Sequence, residues 1–343
     1  MKRLLFTFLL LFISLSLYPQ KTTRDSLQQI LKQTTDANQR MKLLTNLTDI
    51  SRDESQPAYA KLLLKEAEKD RSSYYKEVAY TEILRYYTNH DVPDSVKLYL
   101  KKADRALENS SYKQALLGFI KTMNEVRTVF YTNDSEQKKI LEKEYFSLET
   151  DKDMSPIDRL TANYIIGMAL TKEPILELEG KKIQDVRGYF QRAVAICEKM
   201  PIREGSLFLP NILFMAINTA LAQPKVQAHY AQEYYKIVSD WYNSPDMQQR
   251  PYYTKRHLIN ATSSMAMTGS VIGKAEAEKY YNEFVKLNKE YPEDANITQQ
   301  YEYYYTSINY YSGNGEYDKE LPLLDKMIRF LETTTYKNDR IVY

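Results

Sequence analysis

The sequence has little of several residue types on which common protein classes depend. Among its 343 residues are one cysteine, one tryptophan, three histidines and nine glycines. A single cysteine excludes an intramolecular disulfide and the common cysteine-rich zinc sites. So few glycines argue against a fold built on tight turns and phosphate-binding loops. With 47 basic and 45 acidic side chains, the chain also lacks the basic excess of a dedicated nucleic-acid-binding protein.

The first twenty residues form a segment of their own. Lys2 and Arg3 precede an uncharged, mostly apolar run over residues 4–17. As a helix this run would span about 21 Å, which is short of a bilayer's hydrocarbon thickness. The order predicts a secretory signal peptide over residues 1–20, with an uncleaved N-terminal anchor as the alternative. The only cysteine is Cys197, so no lipid-bearing cysteine follows the apolar run.

Export would change the net charge of the chain and the interactions that stabilise it. Removal of the signal peptide takes away two basic groups and leaves 45 basic and 45 acidic groups. An exported chain without disulfides depends on a packed core, and Cys197, in an apolar helical stretch, is expected to be buried within it. We expect the protein in the periplasm or cell envelope of a bacterium.

Beyond the signal peptide, helical periodicity dominates and strand patterns are weak. A repeat domain is expected over residues 21–335, with residues 336–343 as a tail or the start of a missing continuation. Ser155, Pro156 and Asp158 stand in the order of a helix cap, a first-turn proline and a capping-box acid. Helical segments with short polar links predict antiparallel neighbours.

One apolar triplet recurs along the chain, with a small or branched residue, a larger one four positions later and another residue three positions further. A small residue lets a neighbouring helix approach, and the large one fills the space beside it. The triplets are Ala60, Leu64 and Ala67; Val96, Leu100 and Ala103; Val186, Phe190 and Ala193; Ala231, Tyr235 and Val238; and Ala277, Tyr281 and Phe284.

This pattern resembles the tetratricopeptide repeat, a helical hairpin of about 34 residues. The best match covers residues 304–327, with Tyr311 late in the first helix, Gly315 in the turn and Tyr317 after it. The resemblance implies an all-α, right-handed superhelical solenoid of about seven antiparallel hairpins. The packing positions that it assigns are Ala60, Leu64, Ala67, Tyr87, Val96, Leu100, Ala103, Phe190, Tyr235, Tyr281, Tyr311, Gly315 and Tyr317.

The chain departs from the repeat in places. Glu320 replaces the usual small residue of the last unit, and the signature is lost over residues 111–150. The stretch 171–184 is expected to be an insertion that forms a surface loop.

No constellation of catalytic or metal-binding residues emerges from the sequence. His90, His229 and His257 lie far apart and lack metal-ligand spacing. Phosphate-binding and nucleophile-elbow motifs are absent. No two carboxylates stand out as a glycosidase pair. We therefore expect no enzyme, no metal and no cofactor.

Tyrosine is abundant, with 31 residues and a run at residues 301–305. One interpretation is packing between helices, and the other is a binding surface, because tyrosine offers rigid amphipathic contact area. Neighbouring residues on a helix differ by about 100°, so the run cannot face a single stripe. Some of these rings are therefore expected at the surface or against another element.

In the resembled family the ligand lies along the concave face. The resemblance places there Thr45, Asp49, Thr81, Arg85, Asn89, Glu302, Tyr305 and Asn309. These side chains are polar or aromatic, which favours a solvated concave face. The expected partner is a protein or peptide, or else a glycan. Nucleic acid is not expected, and contact with a membrane is expected only through the signal peptide or a missing C-terminal continuation.

The array is also similar to the exported sensor regions of bacterial envelope two-component and transcriptional regulators. That likeness implies an interaction or ligand-binding module that serves as a scaffold or sensory input. Two alternatives stay open: a helical-repeat hydrolase or lyase that acts on glycans, and a structural assembly module without a small ligand. After residue 333 too little chain remains for a full capping helix.

Overall fold

A computed structural model gives the fold of most of the chain. The described residues are 23–51, 53–131, 135–149, 153–172, 176–178, 181–220, 223–291 and 297–333. The predicted signal peptide and the tail at 336–343 lie outside them. Among the described residues, no helix combines the length and apolar character needed to cross a membrane.

The described part of the chain is helical except for one short pair of strands. The first eight helices are α1 (Thr23–Gln33), α2 (Ala37–Ile50), α3 (Ser55–Lys69), α4 (Ser73–Asn89), α5 (Pro93–Ala106), α6 (Tyr112–Tyr131), α7 (Ser135–Glu149) and α8 (Pro156–Lys172). The strands are β1 (Leu176–Leu178) and β2 (Lys181–Ile183). The later helices are α9 (Val186–Cys197), α10 (Ile202–Thr219), α11 (Pro224–Asn243), α12 (Pro251–Ala266), α13 (Gly269–Ile272), α14 (Lys274–Lys289), α15 (Ile297–Gly313) and α16 (Tyr317–Thr333).

Consecutive helices pack in pairs along the chain. Helix α2 packs on α3, α4 on α5, α6 on α7, α8 on α9, α10 on α11 and α15 on α16. Helix α12 packs on both α11 and α14, and the short α13 lies between α12 and α14 in sequence. This neighbour-to-neighbour packing confirms the expected all-α architecture of an array.

The recurring triplets form the packing face of the second helix in each pair. Ala60, Phe190, Ala193, Ala277 and Phe284 have no exposed surface. The expected tyrosine packing is also present at several of the assigned positions. Tyr87 stacks on Tyr99, Tyr235 packs edge-on against Tyr280, and Tyr281 stacks on Tyr310 and contacts the edge of Tyr311. The sequence pattern therefore located these helix faces correctly.

Two local signals act as the sequence predicts. The backbone N–H of Asp158 donates to Ser155 Oγ at 3.1 Å, and that hydroxyl donates to the Asp158 carboxylate at 2.6 Å. Together they cap the start of α8 and leave fewer of its first N–H groups without a partner. At the other end of the chain, Gly315 adopts a φ of +71° in the α15–α16 turn, a conformation that glycine takes without steric cost.

Two expectations about single segments are wrong. The insertion at 171–184 contains an antiparallel hairpin, in which Leu176 pairs with Ile183 and Leu178 with Lys181. Tyr317 is 61% exposed and does not pack in the repeat, because α16 turns this position away from α15.

The first helices of different pairs also pack against one another. Helix α10 contacts α6 as well as α8, and α12 contacts α2, which lies some two hundred residues earlier in the chain. Every residue of α8 from 160 to 170 is buried, so that helix is surrounded on all sides. The faces expected to line an open concave surface are therefore largely inside the protein.

Candidate functional site

Three of the predicted ligand-binding residues lie in this closed interior. Thr45 and Thr81 have no exposed surface, and Asp49 is 3% exposed. Thr45 Oγ1 donates to the Met41 carbonyl at 2.9 Å, and Thr81 Oγ1 lies 3.0 Å from the Tyr112 hydroxyl. The expectation of a solvated face is wrong at these positions, because neighbouring helices cover the side chains and satisfy their polar atoms.

Asp49 belongs to a buried ionic network centred on Arg250. Arg250 directly precedes α12, Asp49 lies in the last turn of α2, and Glu82 lies in the middle of α4. The Arg250 guanidinium binds both oxygens of Asp49, with Nε to Oδ2 at 3.2 Å, and its Nη2 lies 2.8 Å from Glu82 Oε1. One side chain thus joins two helix pairs to the start of a third.

Glu82 has further partners in the same place. Arg85 Nη1 donates to Glu82 Oε1 at 3.0 Å, and Gln56 Nε2 donates to Oε2 at 3.1 Å. The guanidinium of Arg85 also faces the rings of Phe119 and Tyr253, each 5.5 Å from the ring centroid. Arg85, another predicted ligand-binding residue, therefore serves mainly to fill and neutralise the interior.

The two carboxylates respond differently to this environment. Burial alone would raise the pKa of Glu82, but the guanidinium groups of Arg85 and Arg250 outweigh burial and lower that pKa to about 2. Burial raises the pKa of Asp49, and Arg250 offsets this only in part. Glu82 is thus held as a carboxylate by two cations, whereas Asp49 shares one of them.

A second ionic contact ties α4 to α10. Arg203 forms a salt bridge with Glu77, which also accepts a hydrogen bond from Ser110 Oγ. The Arg203 guanidinium faces the ring of Tyr74 at 4.5 Å and that of Tyr112 at 5.5 Å. Such cation–π contacts add to the attraction of the ion pair. We call Asp49, Glu77, Glu82, Arg85, Arg203 and Arg250 the inner network.

The inner network bears on the glycan-active alternative. That alternative calls for two carboxylates with shifted pKa values in a cleft that substrate can enter. Asp49 and Glu82 have shifted pKa values, but they are 3% and 2% exposed and share one guanidinium. Their arrangement is that of a structural clamp between helices.

The remaining predicted ligand-binding residues are accessible. Asn89 is exposed at the end of α4. On α15, Tyr305 and Asn309 are exposed and Glu302 is half-buried. The side chain of Asn309 donates to the Tyr305 carbonyl at 2.8 Å, and the ring of Tyr305 stacks on that of Tyr301 at 6.1 Å. We call Tyr301, Glu302, Tyr305 and Asn309 the α15 ridge.

The tyrosine run divides between packing and surface. Tyr303 stacks on Phe284 of α14, and Tyr304 contacts Phe330 of α16. Tyr305, by contrast, is 38% exposed. The expectation that the run cannot share one stripe is confirmed, and Tyr305 is the member that faces solvent most.

The other candidate groups have structural surroundings. Cys197 is buried as expected, and burial raises the pKa of its thiol. His257 lies among aromatic rings and bonds to the Tyr234 hydroxyl at 3.2 Å through Nδ1. In the part of the chain that the structure describes, no three His, Cys, Asp or Glu side chains converge as metal ligands.

An open groove of about 500 Å³ runs between α5 and α6. Its lining includes the apolar Leu100 and Leu117 and the charged Lys121 and Glu125. Glu125 accepts a hydrogen bond from the buried Tyr145 hydroxyl. The groove is shallow, Asp104 in its lining pairs with Lys113, and Lys121 faces the ring of Tyr145.

Only a weak sign of the inner network is visible in the sequence. Glu77 and Glu82 interrupt an otherwise apolar stretch of α4, and Arg250 stands immediately before Pro251. A charge within a buried helix face requires a partner. Arg203 and Arg250, however, lie 126 residues from Glu77 and 168 residues from Glu82, at separations that no local pattern reveals.

No protein-family model, no curated protein and no solved structure gives a significant match to this chain.

Proposed function

We propose that the chain is an exported, tetratricopeptide-like interaction module, built of about seven hairpins in a right-handed superhelix. It serves as a scaffold or sensory input region of an envelope signalling protein and binds a protein or peptide. The observation that carries this proposal is the α15 ridge, where Tyr305 stays exposed although most first-helix faces elsewhere in the array are closed.

The ridge has the chemistry of a peptide-binding surface. The stacked rings of Tyr301 and Tyr305 offer flat apolar area with little side-chain entropy to lose. Glu302 and Asn309 stand beside them with polar groups that a peptide backbone or a basic side chain would engage. The ridge is fixed from behind, because Tyr310 of the same helix stacks on Tyr281 at 4.1 Å.

The first test selects ligands without assuming their identity. A phage library of random peptides is enriched on the full chain, and selected peptides are measured by fluorescence anisotropy. We expect the double variant Tyr305→Ala with Asn309→Ala to weaken binding about tenfold or more, as loss of an aromatic anchor does. Tyr242→Ala is the matched control, because Tyr242 is also an exposed helical tyrosine but lies on α11.

The outcomes separate the alternatives. Peptides that bind parent, double variant and control equally would place the binding surface elsewhere. Enrichment on an oligosaccharide array, lost in the double variant, would favour a glycan over a peptide. Absence of any ridge-dependent ligand in both screens would favour the structural assembly module.

A further inference from the structure

Helix α16, the last helix among the described residues, is apolar on two sides. One side packs on α15, where Leu323, Met327 and Phe330 are partly buried and Phe330 contacts Tyr304 at 5.9 Å. A terminal helix of a repeat array usually has one apolar side, which packs on its neighbour, and a polar outer side. Helix α16 instead carries a second apolar stripe.

The second stripe faces away from α15. Tyr317, Leu321 and Ile328 are 61%, 65% and 55% exposed, respectively. Leu331 is also exposed, and Leu324 is half-buried. The five residues are spaced four, three, four and three positions apart, which is the spacing of a seam that accepts knobs from a facing helix. We call Tyr317, Leu321, Leu324, Ile328 and Leu331 the outer seam.

Acidic residues border the outer seam. Asp318, Asp325 and Glu332 each follow a seam residue by one position, so they form a row along one edge. Glu320 precedes Leu321 on the other edge. Arg329 of the same helix pairs with Asp325 at 2.9 Å in an exposed bridge. Bridges of this kind are weak and exchange readily with other partners.

The acidic charge at the edges of the outer seam determines which partner helix can pair with it. Residues beside a helical seam face their counterparts on the partner, and like charges there oppose pairing. A second copy of α16 would bring acidic edge against acidic edge in either orientation. We propose that the outer seam docks an amphipathic α-helix of a different protein, with a Leu- or Ile-rich seam flanked by Lys or Arg. This surface is separate from the α15 ridge.

The test uses two synthetic helical peptides of about three heptads. Both carry the same Leu and Ile seam, and their flanking positions are all Lys in one and all Glu in the other. Anisotropy with the full chain should show the Lys peptide binding at least about tenfold more tightly than the Glu peptide. The difference should shrink as salt is raised, because the flanking charges are exposed.

Variants locate the binding. Leu321→Glu combined with Ile328→Glu should abolish binding of the Lys peptide, and a circular-dichroism melt should stay unchanged because both side chains are exposed. Leu98→Glu is the matched control, since Leu98 is an exposed leucine on α5, and it should bind as the parent does. Tyr305→Ala with Asn309→Ala should also keep the Lys peptide, which distinguishes this surface from the α15 ridge.

Several results would overturn the proposal. Equal affinity for the two peptides, no binding of either, or binding that survives the double Glu variant would each do so. A dimer in sedimentation that dissociates in the double Glu variant would make a second copy the occupant. If a chain ending at Thr333 bound the Lys peptide and the full chain did not, residues 334–343 would be the occupant of the outer seam.

Discussion

The single side chain of Arg250 compensates buried negative charge between helices α2 and α4. It neutralises two carboxylates on helices α2 and α4, and its guanidinium faces the ring of Tyr253 at 4.1 Å. Its own pKa is raised well above the usual value, since the attraction of Asp49 and Glu82 outweighs its burial. Without this cation two acidic side chains would stay buried with insufficient positive charge.

Replacement of Arg250 by Met should therefore destabilise the fold strongly. Removing one partner of a buried ion pair costs about 3–5 kcal/mol, because the remaining charge stays desolvated. Arg329→Met is the control, and the loss of its exposed bridge to Asp325 should cost less than about 1 kcal/mol. Urea unfolding followed by circular dichroism measures both. Equal stability of the two variants would show that the inner network contributes little.

Glu82 makes part of this stability depend on pH. Its pKa is about 2 in the folded protein against an ordinary 4.5, so the stabilisation is complete at neutral pH and declines as the pH falls below about 5. The unfolded chain takes up the proton first, which should remove about 2 kcal/mol by pH 3. Glu82→Gln lacks this titration.

The prediction concerns the difference in unfolding free energy between the parent and Glu82→Gln. Measured by urea titration at pH 7 and again at pH 3, this difference should shrink by about 2 kcal/mol. A difference that stays constant or grows on acidification would contradict the assignment of a low pKa to Glu82.

At the scale of helices, small residues set how closely neighbours approach. Gly167 of α8 lies against Phe190 of α9, and a Cβ added there would stand 3.2 Å from the ring. Gly167→Leu should overfill this contact and destabilise the fold by about 1–3 kcal/mol. Gly313→Ala is the control, because nothing lies within 4 Å of the added Cβ. Thermal melts of both variants test the prediction, and an unchanged melt for Gly167→Leu would mean that the two helices are loosely packed.

Helices and their pairing were the most predictable part of the structure. The Ser155 cap, the Gly315 turn and the triplets ending at Ala67 and Ala193 all depend on residues within one or two turns of each other. Local spacing reports such features directly. The hairpin at 176–183 was missed because three-residue strands leave too short an alternation to recognise.

At the scale of the whole molecule, the sequence wrongly predicted that the first helix of each pair lines a solvated concave face. Thr45, Asp49 and Thr81 are polar, and polarity suggested a solvated surface. In the structure these faces meet helices from later pairs, and their polar groups bond inside the protein. The closed interior is held together by ion pairs such as that of Glu77 with Arg203. These partners lie far apart along the chain, so no periodic sequence pattern reveals them. The α15 ridge was predictable in part, because four tyrosines in five positions could not all face one side of the helix.

Labelling of engineered thiols tests most directly whether the array is closed around the inner network and open at α15. The variants Thr45→Cys and Asn309→Cys are each treated with a maleimide in native buffer. The parent protein gives the background labelling rate, because its only cysteine, Cys197, is buried. We expect the thiol at position 309 to react at least about a hundredfold faster than the thiol at 45, which should react only through opening of the fold. In urea the two rates should converge. Equal rates in native buffer would mean that the concave face is open and that the closed interior described here is wrong.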